Sequence, residues 1–255
     1  MRLGSIVDWV CPVITRNRGA ATDCVLELDE PPKRADPALY SQEEQLAAGN
    51  DPTWDNPHIN FEIEEVGGNV DVTIQNISPE TTAANVEVTL EASEWGIGFE
   101  TEDVGTQTIR SIIPGGQETL QYPRPEDTGA YFVTITFTND RNLMNNYGES
   151  APQYLYFQPS PVTAQHIQVP IKNETSTAQQ YAISAYSGTD AVTISNAPDT
   201  VDLNPDEEGI IVVSFMLSEE AEANEQYPVT IMAENNQEEL VGGATVIIRT
   251  GGVPE

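Results

Sequence analysis

The 255-residue sequence predicts an all-β fold, with two antiparallel β-sandwiches in tandem behind an irregular N-terminal arm. Three observations carry this. Apolar and polar residues alternate over short runs, as in Tyr131-Phe132-Val133-Thr134-Ile135-Thr136-Phe137, which is the period of a strand with one buried face. Turn signals such as Pro114-Gly115-Gly116 separate the runs. The grammar of 111–146 (turn, strand, polar loop, strongly alternating strand) recurs in outline at 201–236.

Residues 1–57 read as the arm. Its stretch 27–37 is proline-rich linker chemistry, since proline fixes φ and removes a strand donor. Residues 37–48 predict a short helix capped by Ser41, with Glu43 and Glu44 in the first turn and Gly49 ending it. Trp54 lies in a turn cluster and is expected to pack on a sandwich edge rather than to bind a ligand.

The first sandwich is expected over 58–158. Ile59, Phe61 and Ile63 share one face of its first strand, and Val70, Val72 and Ile74 point inward from the next. Val86, Val88 and Leu90 follow, then strands near 109–113, 119–122 and 130–138. Residues 139–150 read as a loop and 153–158 as the strand that closes the domain. Pro159-Ser160-Pro161 is expected to be a stiff hinge holding the two sandwiches end to end. The second sandwich, over 162–250, repeats the plan at 165–171, 180–186, 191–195, 200–203, 210–217, 227–234 and 244–249. A repeat of about 95 residues is the size of one immunoglobulin-type sandwich.

These segments resemble Ig-like modules of bacterial and archaeal proteins. Residues 58–158 resemble the CARDB-type, adhesion-related Ig-like domain. The likeness rests on Val70-Asp71-Val72-Thr73-Ile74-Gln75-Asn76, Ile112-Ile113-Pro114-Gly115, Tyr131-Phe132-Val133-Thr134 and the Asn145-Asn146 loop. Residues 162–250 are similar to Ig-like modules appended to secreted or surface proteins, through Asn173, Leu203-Asn204-Pro205 and Tyr227-Pro228-Val229-Thr230. The resemblance implies tandem Ig-like sandwiches in a surface or adhesion setting.

The formal charge is −31, from 41 Asp and Glu against 10 Lys and Arg. Such a surface repels nucleic acid and anionic membranes, so neither is an expected partner. Most of the acids lack a base to pair with, and self-repulsion works against the compact state. Molar salt shortens the Debye length to roughly 3 Å and screens that repulsion. A high-salt setting is therefore expected, with an acidic protein of ordinary surroundings as the plainer alternative. Residues 1–34 hold five acids and five bases, so the whole −31 falls on 35–255. A neutral arm on an acidic body suits docking of residues 1–57 onto other protein subunits; a tail tucked onto the first sandwich explains it equally well.

Cys11 and Cys24 enclose twelve residues, and either a disulfide or two free thiols fits them. No stretch has the roughly 20 apolar residues of a membrane-spanning helix. The N-terminal apolar run is broken by Asp8 and Pro12 and reads as retained, which places the chain in a cytoplasm or on a particle assembled there.

Catalytic chemistry is not expected. Only His58 and His166 offer imidazole bases, both at strand starts, and no nucleophile, phosphate-loop or dinucleotide motif occurs. Calcium is the ion that best suits the oxygen-rich loops 100–103, 139–142 and 204–208, with Asp103, Asp140 and Asp206 as the candidate ligands. None of these loops has EF-hand spacing, and ordinary acidic loops are the simpler account. Asn76-Ile77-Ser78 and Asn173-Glu174-Thr175 fit the glycosylation sequon. Tyr154 and Tyr156 share a strand face that a glycan ligand would suit, although edge packing explains them too. The expected function is that of a non-enzymatic structural protein displayed on a larger assembly, such as a virion capsid or tail. The rival is a surface adhesin that binds glycan or protein through a loop-end site such as 94–103.

Overall fold

The structure, a computed structural model, describes residues 33–63, 67–157, 165–218, 221–222 and 224–250. The first half contains β1 (Pro37–Ala38), helix α1 (Gln42–Ala47), β2 (Ile59–Asn60), β3 (Asn69–Asn76), β4 (Ala83–Ser93), β5 (Glu102–Ile112), β6 (Gln117–Pro123), β7 (Ala130–Thr136) and β8 (Tyr147–Ser150). The second contains β9 (Pro152–Phe157), β10 (Gln165–Lys172), β11 (Gln179–Tyr186), β12 (Val192–Asn196), β13 (Thr200–Leu203), β14 (Glu208–Leu217), β15 (Gln226–Glu234) and β16 (Leu240–Thr250). The all-β class holds. No helix among the described residues is long and apolar enough to cross a membrane.

Four sheets enclose two cores. In the first half, β3 pairs with β6 on one side and with β1 and β2 on the other, facing a sheet of order β5-β4-β7-β8. The alternation sends Val70, Val72 and Ile74 of β3 against Val86, Val88 and Leu90 of β4, with Tyr122 and Tyr131 closing the cluster. In the second half β10-β14-β12 faces β13-β11-β15-β16-β9. Ile167, Val169 and Ile171 meet Ile211, Val213, Phe215, Val229 and Ile231 there. The pairings β3–β6 and β5-β4-β7-β8 reappear as β10–β14 and β13-β11-β15-β16, so the repeat read from the sequence is a repeat of topology.

One polar device recurs with it. Asn76 ends β3 with its side chain wholly buried. Its amide nitrogen donates to Thr81 O (2.8 Å) and Ile112 O (3.0 Å), and its Oδ1 accepts from the backbone nitrogens of Asp36 and Ser78, each at 3.2 Å. Asn173, equally buried, donates to Thr177 O (2.8 Å), Asn204 O (3.0 Å) and Leu203 O (3.2 Å) and accepts from Tyr181 OH (3.0 Å) and Thr175 Oγ1 (2.7 Å). Each asparagine backbone also pairs with a Pro-containing turn: Gly115 N donates to Asn76 O at 2.9 Å, and Asp206 N to Asn173 O at 2.8 Å. The third turn position is left-handed in both, with φ +68° at Gly115 and +57° at Asp206. The two sequons are thus structural: these amide groups are spent inside the fold and are closed to a glycosylating enzyme.

Four expectations change. The arm is not free over 33–57, because the compact unit begins at Lys33 and Ala35, Leu39 and Trp54 are core residues. Here β1 pairs with the end of β3, and α1 forms under its Ser41 cap as expected, with Gly49 at φ +77° after it. The stretch 139–150 is not all loop, since it holds a 3-10 turn (Leu143–Asn145) and then β8, the true edge of the first sandwich. The strand expected to close that sandwich, β9, instead joins the second, parallel to β16 from Thr245↔Pro152 to Thr250↔Phe157. The pairing gives β9 a ladder partner along its whole length. Last, the sandwiches are not held merely end to end, for a packed seam described below joins them. Pro159-Ser160-Pro161, Cys11 and Cys24 lie outside the described residues.

Replacing Asn173 by Ala strips the donor from the buried Leu203 carbonyl and the acceptor from the buried Tyr181 hydroxyl, and removes the bonds to Thr177 O and Asn204 O as well. At about 1–3 kcal/mol per unsatisfied buried group, a loss on the order of 3–5 kcal/mol is expected. Chemical denaturation of the Asn173→Ala variant measures it, and a change below about 1 kcal/mol would show that the tie is dispensable.

Candidate functional site

A buried polar cluster lies where the two sandwiches meet, around Glu149 of β8. The strand turns Gly148, Glu149 and Ser150 inward, and the segment 40–56 closes over them. Glu149 Oε2 accepts from the indole Nε1 of Trp54 at 2.6 Å, and Oε1 accepts from Tyr147 OH at 3.0 Å. Its backbone is equally engaged. Gln42 Oε1 accepts from Glu149 N (3.1 Å), while Gln42 Nε2 (2.8 Å) and Asn56 Nδ2 (3.0 Å) donate to Glu149 O.

Trp54 carries the contact into the second sandwich. Its ring is wholly buried and belongs to that sandwich's core. Its backbone nitrogen donates to Thr245 Oγ1 (2.8 Å), its carbonyl accepts from Ala151 N (2.7 Å), and Thr245 N donates to Ala151 O (3.2 Å). Gly243 of β16 leaves room for the ring, since a Cβ there would stand 2.7 Å from it. A second strap comes from the β4–β5 loop. Ile97 N donates to Pro170 O (3.0 Å) and Lys172 N to Ile97 O (2.9 Å), a short bridge onto β10. Gly98 makes this approach possible, with φ +75° and Lys172 O only 2.5 Å from where a Cβ would sit. Trp95 Nε1 adds a bond to Ala151 O at 3.1 Å.

Beside the seam opens a cleft of about 510 Å³, lined by Glu91, Phe99, Glu100, Phe132, Tyr147, Glu149 and Glu174. Lys172 pairs with Glu174 and stands 5.9 Å from the Phe99 ring centre. Burial pushes the Glu149 carboxyl up from 4.5 to about 7, against the lowering effect of its Trp54 and Tyr147 bonds and with the charge of Glu43 adding to the rise. Burial, and then the charge of Glu149, push the Tyr147 hydroxyl far up as well. A buried carboxyl pushed up toward neutrality and braced by two donors is the chemical content of this site.

The residues singled out from the sequence are distributed differently. Asp103 lies in β5, exposed and opposite Glu91 in register; Asp206 is the left-handed tip of the β13–β14 turn; Asp140 is buried between β7 and β8. Among the described residues no group of three or more His, Cys, Asp or Glu side chains is placed to hold a metal. His58 Nδ1 accepts from Tyr40 N at 2.9 Å, and His166 Nδ1 lies 2.9 Å from Ser214 Oγ in an exposed cross-strand pair. The Tyr154 and Tyr156 rings are engaged by Arg249, whose guanidinium stands 3.4 Å from the Tyr154 ring centre while its Nη1 donates to Tyr156 OH at 3.1 Å. The loop 94–103, expected as a free recognition loop, gives Trp95 and Ile97 to the seam and leaves Glu100 and Thr101 at the cleft.

No family model and no curated protein matches the chain. Among solved structures, a FixG-related protein from Vibrio parahaemolyticus is 11% identical over 36% of this chain and 98% of its own, with a TM-score of 0.28. Escherichia coli alpha-2-macroglobulin is 11% identical over 86% of this chain and 22% of its own, at 0.28. The secreted serine protease VesC from Vibrio cholerae is 8% identical over 67% of this chain and 46% of its own, at 0.31. Likenesses this distant carry no argument about fold or function.

Because the folded carboxyl of Glu149 holds its proton more tightly than the unfolded one, its contribution to stability is complete below pH 4.5 and is lost as pH rises to about 7. At roughly 1.4 kcal/mol per pH unit the loss is about 3 kcal/mol. In Glu149→Gln the amide still accepts from Trp54 and donates to the Tyr147 oxygen, as the protonated acid does. Denaturation midpoints of wild type relative to this variant should fall as pH rises from 4.5 to about 7 and level off above that. Parallel pH profiles would refute the assignment.

Proposed function

We propose that this chain is a non-catalytic structural protein, a stiff pair of Ig-like, CARDB-related sandwiches displayed on a larger assembly such as a virus particle in a high-salt environment. The observation that supports it is the seam. Two sandwiches joined by a shared tryptophan, a three-threonine hydrogen-bond cluster and two backbone straps cannot swing as beads on a linker do; such a body suits a spacer or decoration with fixed geometry. Thr245 Oγ1 lies 3.1 Å from Thr230 Oγ1 and 3.2 Å from Thr53 Oγ1, so the polar layer ties β15 and β16 of the second sandwich to the segment between α1 and β2. The acidic coat fits a setting where salt screens self-repulsion.

Attachment falls to residues 1–32 rather than 1–57, because 33–57 are consumed by the fold. Residues 1–32 carry three bases against five acids, which leaves seven bases against 36 acids on 33–255. The near-neutral segment can approach an acidic partner that the body would repel. Deleting residues 1–32 should leave cooperative unfolding intact and abolish incorporation into the particle, read by mass spectrometry of purified assemblies. Normal incorporation of the truncated chain would sink the attachment role. Deleting 1–57 should unfold the protein, since Trp54 and Gln42 go with it.

One observation favours a second reading, a binding module for glycan or protein. The cleft beside Glu149 presents Phe99, Phe132 and Tyr147 among carboxylates, a combination of apolar surface and hydrogen-bond acceptors that sugars use. A glycan array on the intact chain separates the two, and a hit abolished by Phe99→Ala would favour recognition over display.

A further inference from the structure

Between β7 and β8 the chain turns through Asn139, Asp140, Asn142, Asn145 and Asn146, a loop made largely of side chains that offer oxygen. Backbone bonds pin it to the residues flanking β1 and to β7: Arg141 N donates to Ala35 O (3.2 Å), Leu39 N to Asn145 O (3.1 Å) and Ile135 N to Asn146 O (2.7 Å). Asp36 is thereby brought to the loop. All four polar side chains at this junction are buried, with exposures of 4% for Asp36, 7% for Asp140, 1% for Asn145 and 8% for Asn146.

They form a connected set. Asn145 Nδ2 donates to Asp36 Oδ1 at 3.2 Å. The Asn146 side chain hydrogen-bonds Asp140, and the charges of Asp140 and Asp36 repel one another. Asp140 Oδ1 accepts from Asn142 N at 3.1 Å. The set stays unbalanced, however. Asp140 Oδ2, Asn145 Oδ1 and Asn146 Oδ1 are all buried and accept from no donor. The ion pairs described, Lys33–Glu80 and Lys172–Glu174, reach neither carboxylate.

Three buried oxygens without a donor, on Asp140, Asn145 and Asn146, beside the second buried carboxylate of Asp36 are a poor arrangement for a protein alone and a good one for a hard cation. Buried acceptors are normally satisfied, and buried like charges normally meet a counter-charge. We propose that Asp36, Asp140, Asn145 and Asn146 form a binding site for one calcium ion. Calcium accepts carboxylate and asparagine oxygens together in irregular geometry, and water or main-chain carbonyls complete its six to eight ligands. Magnesium demands a near-ideal octahedron and keeps its waters, which this loop does not suit. The two formal negative charges match a divalent ion. Bound there, calcium ties the entry of the folded unit to the loop that leads into β8, and so to Glu149 at the seam.

The test uses the full chain stripped with chelator, in about 1 M NaCl so that diffuse attraction of cations to the acidic coat is screened. Calcium chloride is titrated calorimetrically and the thermal midpoint is followed. The expected result is one equivalent bound, a midpoint that rises with calcium concentration, and a weaker response to magnesium. Asp140→Asn and Asn145→Ala should lose the isotherm, while Asp103→Asn and Asp206→Asn keep it. Wild-type protein that takes up no calcium and is indifferent to chelator overturns the proposal whatever the variants do. Binding that survives in both loop variants overturns it too.

Discussion

Glu149 is a carboxyl group placed where water does not reach it, and much of the molecule is arranged to make that tolerable. A buried carboxylate without a cation is costly, so it must be given donors or a proton. The donors come from two directions: Tyr147 lies two residues away on the same strand, and Trp54 arrives from a segment nearly a hundred residues earlier in the chain. Once the indole is fixed by that bond, its ring can face only the second sandwich, and Gly243 is the space it needs. The join between the sandwiches is therefore a consequence of polar satisfaction at one point, extended by apolar packing around it.

The repeated asparagine shows the same logic at smaller scale. A sandwich strand must end somewhere, and its last backbone groups then lack a ladder partner. Asn76 and Asn173 supply donors and acceptors at that place and bind the turn that leads into the paired strand of the same sheet, β6 or β14. That the same residue does this in both halves, with a Pro-containing turn opposite, indicates that the repeated unit is defined by its polar corner as much as by its apolar alternation.

Strand periodicity made the cores legible: the faces through Val70, Val72 and Ile74 or through Ile167, Val169 and Ile171 are set by local chemistry, and so were Ser41's cap and the turn at Pro114. What could not be read is what depends on partners far apart in sequence. The stretch 153–158 has the same alternation whichever sheet it joins, and its ladder partner, β16, lies about ninety residues further along the chain. Tyr147-Gly148-Glu149-Ser150 looked like loop because its buried face is polar, which defeats a pattern built on apolar residues. Trp54 was conspicuous in the sequence, but its partner was not. Asp140 could be picked out as an oxygen donor, whereas Asp36, more than a hundred residues away, had no signal at all.

The charges divide into two populations with different physics. The exposed carboxylates of the coat interact through water, and salt screens them over a Debye length of about 8 Å at physiological strength and less in brine. Glu149, Asp36 and Asp140 sit in the interior, where screening ions do not enter and only a proton, a hydrogen bond or a directly bound cation can compensate them. Salt therefore governs whether the acidic body can approach another acidic body, while protons and bound ions govern whether its two halves and the segment at its entry stay locked. Such a division separates what ionic strength can change, the approach of one acidic surface to another, from the buried contacts within the folded unit that it leaves untouched.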